Sequence, residues 1–250
     1  MLIGVASGAF GVEAIVDAIR PYEPVYLLLQ PDLLRAKFQV SFAVRLIGDP
    51  APVAGHELPT PGVFIGYSQT NTWDLHGNSR PIDDGSFRPE VWYRQPVPVL
   101  PWEVAALDLG VSHESNGLAG AASRSFNAIF LRATGTVALA PGWSFDGAPR
   151  LRTYVGDLSD NPDMPRYRGY GDLIGSLDAP GGWRGTVATH LGSRLDRTTV
   201  QLDLTYPLAA CTGQWVKAYL DVQFFDGWGE TLRGYNQHSQ RGMVGIAFVR

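Results

Sequence analysis

Long stretches of this chain alternate apolar and polar residues with a period of two, the spacing that gives a β-strand two unlike faces. In Arg35–Leu46, Ala36, Phe38, Val40, Phe42, Val44 and Leu46 oppose Arg35, Lys37, Gln39, Ser41, Ala43 and Arg45. In Arg197–Tyr206, Thr198, Val200, Leu202, Leu204 and Tyr206 oppose Arg197, Thr199, Gln201, Asp203 and Thr205. Trp215–Phe225 sets Val216, Ala218, Leu220, Val222 and Phe224 against a face with Lys217, Asp221 and Gln223. Each run is about ten residues, against about 5–6 for a usual strand, and about ten is what a tilted strand needs to cross a hydrocarbon layer. Turn signals separate the runs at Asp49-Pro50, Pro59–Pro61, His76–Gly85, Asn116–Gly120, Pro141–Gly147, Asp160–Pro165, Ala179–Gly182 and Asp226–Gly229. That spacing gives about 10–12 strands and hence one closed antiparallel sheet.

Composition removes several classes. With 20 basic against 24 acidic residues and a net charge of −4, no basic stripe is available to neutralise phosphates, so a nucleic-acid partner is excluded. A single cysteine precludes an intrachain disulfide or a thiolate metal cluster. The 29 Gly and 18 Pro suit many short connections better than long helices. No apolar run approaches the length of a membrane-spanning helix. The segment 1–22 is apolar without a cationic start, and is expected to be a truncated or misassigned beginning ahead of a barrel domain at 23–250.

Alternation alone leaves the wet face open: a soluble calyx points its apolar face inward, a membrane barrel points it at lipid. Two features favour the membrane. The polar faces mix Arg, Lys, Asp and Gln, as a hydrated lumen would. Aromatic residues also gather near strand ends (Trp73, Trp92, Tyr93, Trp102, Trp143, Trp183, Tyr206, Trp215 and Trp228), as in interfacial girdles.

Leu107–Leu131 carries the candidate chemistry. Leu107, Leu109, Val111, His113 and Ser115 share one face, with Asp108, Ser112 and Glu114 on the other. A hairpin centred on Gly120 sets His113 opposite Asn127, Val111 opposite Ile129 and Leu109 opposite Leu131. An imidazole beside a serine can take its proton, and an amide carbonyl can fix the imidazole's tautomer. The same residues are also compatible with an ordinary strand end. His238 is followed directly by Ser239, on the opposite face; His56, His76 and His190 have no serine at +2, and Cys211 is expected to pack at a strand start.

His113-Glu114-Ser115-Asn116-Gly117 followed by Ser123-Arg124-Ser125-Phe126-Asn127 resembles the active-site signature of the outer-membrane phospholipase A family. Further blocks follow in the same order: Tyr67-Ser68-Gln69 through Trp73, Arg88-Pro89-Glu90, Asp160-Asn161-Pro162-Asp163, Gly169-Tyr170, Gly227-Trp228-Gly229-Glu230 and Tyr235-Asn236. The resemblance implies a twelve-stranded barrel in the bacterial outer membrane. It implies hydrolysis of phospholipid acyl esters, dependence on Ca2+, and activity as a homodimer. By position it makes Ser115 the nucleophile, His113 the general base and Asn127 the residue orienting it, with the Gly117 amide at the oxyanion. Calcium ligands would be Ser123, the Leu118 carbonyl and Ser79 of a second subunit, with Asp160 at an additional site or in a plain loop turn. Gln69 matches a membrane-embedded glutamine at the subunit contact, against an inward glutamine bonded within the lumen.

This chain departs from the family pattern at Gly120, where an acidic ligand can stand, and at its end, Phe248-Val249-Arg250 rather than a terminal aromatic. Two rival classes remain: a non-catalytic porin or transport barrel, and a soluble lipid-binding calyx.

Overall fold

The alternating runs fold into long antiparallel strands, as their period requires, in a computed structural model that describes residues 19–48, 61–79, 81–97, 101, 104–213 and 215–250. In chain order the strands are β1 (Ile19–Arg20), β2 (Val25–Leu29), β3 (Arg35–Ile47), β4 (Gly62–Asp74), β5 (Ile82–Pro96), β6 (Val104–Ser115) and β7 (Ser125–Ala140). They continue as β8 (Trp143–Gly147), β9 (Arg150–Val155), β10 (Gly171–Ala179), β11 (Trp183–Leu191), β12 (Thr199–Pro207), β13 (Tyr219–Trp228) and β14 (His238–Val249). Apart from β1–β2 and β8–β9, sequential strands pair, β2 pairs with β14, and β3 pairs with both β2 and β4, so the sheet closes. The short β1 continues β2 along β3, and β8 and β9 share one place between β7 and β10. Fourteen segments therefore make a barrel of twelve staves. Two short helices lie in connections: α1 (Met164–Arg168) and α2 (Ala209–Thr212).

The apolar faces point outward. Val40, Phe42, Leu107, Leu109, Val111, Ile129, Leu131, Leu202, Leu204, Leu220, Val222 and Phe224 are exposed, while Lys37, Ser41, Asp108, Ser112, Asp221 and Gln223 are buried. This is the polarity of a membrane barrel; a calyx would invert it. No helix among the described residues is long and apolar enough to cross a membrane; strands of a closed sheet can cross, because their backbone groups pair with neighbouring strands.

Side chains fill much of the lumen. Asp108 receives Arg94 through Nε at 2.7 Å and Nη2 at 2.8 Å, and Arg132 through Nη2 at 2.7 Å. Arg150 donates to Glu90 at 2.6 Å, and Arg168 lies 3.1 Å from Glu114. Tyr22, ahead of β2, stacks on Trp92 with ring centroids 4.9 Å apart and also bonds to Glu90. Removing these charges from water is tolerable because each carboxylate meets a guanidinium directly.

The structure corrects several expectations, among them the turns at Pro141–Gly147 and Asp226–Gly229, where β8 takes up Trp143–Gly147 and β13 runs on to Trp228. Trp92 belongs to no girdle: it is 3% exposed, inside the barrel between Tyr22 and Phe64, because its even position on β5 faces the lumen. The turn expected at His76–Gly85 is shorter, since β5 begins at Ile82; a Cβ at Gly85 would lie 2.9 Å from the Asn71 amide, so glycine here makes room across the strands rather than a bend. The strand expected from Trp215 begins at Tyr219, because α2 and the residues after it occupy the turn. Cys211 lies exposed in α2 rather than packed at a strand start. Trp102, His56, Asp49-Pro50 and residues 1–18 lie outside the described residues.

Candidate active site

β6 and β7 pair in the register that the sequence pattern predicts: His113 faces Asn127, Val111 faces Ile129 and Leu109 faces Leu131. Because side chains alternate, one register decision places all of them on the lipid side. Leu109 is 59% and Val111 54% exposed. His113 and Ser115 continue that row toward the barrel end, half-buried, with Asn127 exposed beside them.

His113 Nδ1 donates to Asn127 Oδ1 at 2.8 Å. The bond holds the ring edge-on to the neighbouring strand and fixes the tautomer that leaves Nε2 free to accept a proton. Ser115, two residues on along the same strand, makes no side-chain hydrogen bond among the described residues, so its hydroxyl is not engaged elsewhere. On the opposite side of Ser115 the register partner is Phe87 of β5.

The loop after β6 is braced from inside by Asn116, which is buried. Its Oδ1 accepts from the backbone of Leu118 at 3.3 Å and Arg124 at 3.0 Å, and its Nδ2 donates to the Ala122 carbonyl at 2.8 Å. Gly117 takes φ +69, a conformation costly for residues with a Cβ, and a Cβ there would also press on the Phe87 ring at 3.1 Å. Two independent constraints thus hold this position to glycine beside the candidate nucleophile.

A second connection reaches the same rim. Ser123 Oγ donates to Asp160 Oδ2 at 2.7 Å, and Asn161 Oδ1 accepts from the Ser125 amide at 3.0 Å. Below them Tyr235 donates to Asp163; burial first, and that hydrogen bond second, push the Tyr235 hydroxyl above its ordinary pKa. The Ser123 hydroxyl and the Asp160 carboxylate bring hard oxygen donors together at the rim, which suits a cation such as Ca2+. The residues present therefore fit that group.

Of the residues singled out in the sequence, His113 and Asn127 are hydrogen-bonded, Ser115 lies on the same outward row two residues on without a hydrogen bond to His113, and Ser123 meets Asp160. Ser79 lies apart, exposed in the turn between β4 and β5 with φ +62. Gln69 also lies apart, half-buried on the outward row of β4, where Tyr67 donates to its Oε1 at 2.8 Å and its Nε2 donates to Asn71 at 2.7 Å. Asn116 and Asn161 are supporting residues that sequence reasoning gave no role. Their signal was present, as asparagines flanked by glycine or proline inside turns, but only their burial shows that the amides hold backbone.

Fold and site define a class: an outer-membrane β-barrel carrying a Ser, a His and an Asn on its lipid-facing surface. A family profile described as Phospholipase A1 matches residues 18–248, and the chain belongs to that family. Among relatives, it is 30% identical over 227 residues to the putative phospholipase A1 of Neisseria meningitidis, covering 85% of this chain and 54% of that protein. It thus spans about half the length of this relative. With phospholipase A1 of Escherichia coli K12 the identity is 27% over 226 residues, covering 84% of this chain and 68% of that protein. Among solved structures, the outer membrane phospholipase A of Escherichia coli superimposes with a TM-score of 0.75 at 24% identity, covering 93% and 91% of the two chains. The calcium-bound dimer of the Salmonella typhi outer membrane phospholipase gives 0.75 at 23% identity, covering 93% and 92%.

Proposed function

We propose that this protein is a calcium-dependent phospholipase that hydrolyses acyl esters of membrane phospholipids. The single observation that carries this is the His113–Asn127 hydrogen bond beside an unengaged Ser115, on a face otherwise made of leucine, isoleucine and valine. A phospholipid's ester lies at the headgroup–acyl boundary, so an outward serine near the end of the apolar belt meets it without extracting the lipid.

His113 Nε2 takes the Ser115 proton as Oγ attacks the ester carbonyl, and the imidazolium that forms is stabilised and oriented through Nδ1 by Asn127. The same nitrogen then returns the proton to the departing alkoxide, and water repeats the cycle on the acyl-enzyme. The backbone amide of Gly117 is the assigned donor to the carbonyl oxygen as it gains charge. Val111, Ile129 and Leu131 hold acyl chains against the barrel. Ser123 and the Leu118 carbonyl, with Asp160 hydrogen-bonded to the former, are the residues that would hold Ca2+. Bound there, Ca2+ would supply positive charge to stabilise an oxyanion, of the several-kcal/mol kind that metal catalysis provides.

The finer proposals concern scope and assembly. Both phospholipid esters (A1 and A2 cleavage) and lysophospholipids are assigned as substrates, because an open outer face imposes no chain-end boundary. The calcium-bound dimer among its structural neighbours supports a homodimer, with Ser79 donated across the contact and Gln69 pairing with its symmetry mate in lipid. The ion pairs and side chains that fill the lumen argue against the conducting-porin alternative.

Ser115→Ala tests the assignment. In mixed micelles it should lower ester hydrolysis by about 10⁴-fold while the barrel keeps its heat-modifiable gel mobility; unchanged turnover would refute the proposal. Calcium chelation should remove activity and shift sedimentation toward monomer.

A further inference from the structure

Within the barrel lies a cavity of about 250 Å³, bounded in part by β12 and β13. Five carboxylates line it: Glu23, Glu114, Asp203, Asp221 and Glu230. Three are answered by cations. Glu23 pairs with Arg88, Glu114 with Arg168 at 3.1 Å, and Glu230 with Arg241 at 2.7 Å and Lys37 at 4.0 Å. Asp203 and Asp221 have no ion-pair partner among the described residues.

These two are diagonal neighbours on one inward face. Asp203 stands opposite Gln223 and Asp221 opposite Thr205 in the β12–β13 register. Asp203 accepts the side-chain amides of Gln223 at 2.7 Å and Gln201 at 2.9 Å. The oxygens of those same amides accept from Lys37, at 2.8 and 3.4 Å. The lysine is thus turned to amide oxygens, and its ion-pair partner is Glu230 rather than either aspartate. Asp221 is 2% exposed, lines the cavity, and its Oδ1 has no hydrogen-bond partner.

A desolvated carboxylate oxygen without a donor is unfavourable. Water in the cavity can hydrate it but leaves the charge unanswered. Around this wall Asp203, Asp221 and Glu230 stand against Lys37 and Arg241, with the neighbouring Arg250 taken up by Asp178 at 3.9 Å, which leaves one negative charge. We propose that Asp221 and Asp203 form a lumenal site for one monovalent cation, an alkali or ammonium ion, separate from the calcium ligands at the rim. Hard oxygen donors suit such an ion, and a single positive charge closes the local balance, where a divalent ion beside Lys37 would overshoot it.

The test uses the full barrel in zwitterionic detergent, in N-methylglucamine buffer with a divalent chelator, titrated with sodium chloride. Sodium-23 resonance should broaden with protein, and ammonium chloride should reverse the broadening in the unmodified protein. Asp221→Asn and Asp203→Asn, near-isosteric changes outside the proposed catalytic machinery, should each weaken sodium binding by about tenfold, or 1.4 kcal/mol. Asp226→Asn, at the exposed rim, should leave it unchanged. Equal broadening in the unmodified protein and both lumenal variants would overturn the site. So would an infrared carbonyl band of a protonated acid that Asp221→Asn removes, since the pair would then hold a proton instead.

Discussion

On the outer face of β6 and β7 the side chains are Leu107, Leu109, Val111, Ile129 and Leu131, ending in His113, Ser115 and Asn127; on the inner face of the same strands they are Asp108, Ser112, Glu114 and Arg132. The outer row is apolar until the point where a lipid ester would lie. The inner row sets these polar residues among the buried Ala106, Phe126, Ala128 and Phe130, and each carboxylate has a guanidinium against it. In lipid an unpaired charge finds nothing, so polar groups are kept for where they act. In the lumen, charges from distant strands satisfy one another and hold the wall in place. The comparison teaches that the candidate catalytic residues are the exception on their face, whereas on the other face charges are admitted because each meets its opposite.

The comparison can be broken most sharply at its polar end. His113→Ala should reduce kcat/KM by about 10⁴-fold, near 5 kcal/mol of lost transition-state stabilisation, with unfolding in urea unchanged; a stability loss instead would make His113 a structural residue. On the inner face Asp108→Ala leaves Arg94 and Arg132 facing each other without the carboxylate that both bond. It should destabilise the barrel by about 3–5 kcal/mol, read from urea titration in lipid vesicles, while the esterase rate per folded molecule holds. Leu109→Arg puts a charge in the apolar belt and should cost about 2–4 kcal/mol in the same titration; no loss would mean that the outer row does not contact hydrocarbon. The smallest effect is expected at Asn116→Ala, which removes three local hydrogen bonds. Loop amides should exchange faster, and kcat/KM should fall by about tenfold, near 1.4 kcal/mol, with the barrel strands protected as before.

Much of the site was legible because it is local. His113 and Asn127 lie 14 residues apart on one hairpin, and apolar matching across that hairpin admits a single register, so a two-fold period and a turn sufficed to bring them together. The ordered blocks from Tyr67 to Asn236 carried the family resemblance. Less legible were contacts made by loops. Nothing in the spacing of Ser123 and Asp160 says that their side chains meet, because α1 and the turn before it set that approach. Trp92 shows the same limit from the other side: one aromatic near a strand end looks like another until the parity of β5 is fixed by its partners.

By itself the sequence determined the alternation, the hairpin register and the chemical identity of the three candidate catalytic side chains, since all of these follow from period, turn chemistry and neighbouring residues. Only the tertiary structure decided which face is wet. That depends on pairs such as Lys37 with Gln223, 186 residues apart, and Arg132 with Tyr22, 110 apart, which exist only once the sheet has closed. Closure makes the lumen small enough for polar side chains to reach one another across it, and it leaves the leucines no neighbour but lipid.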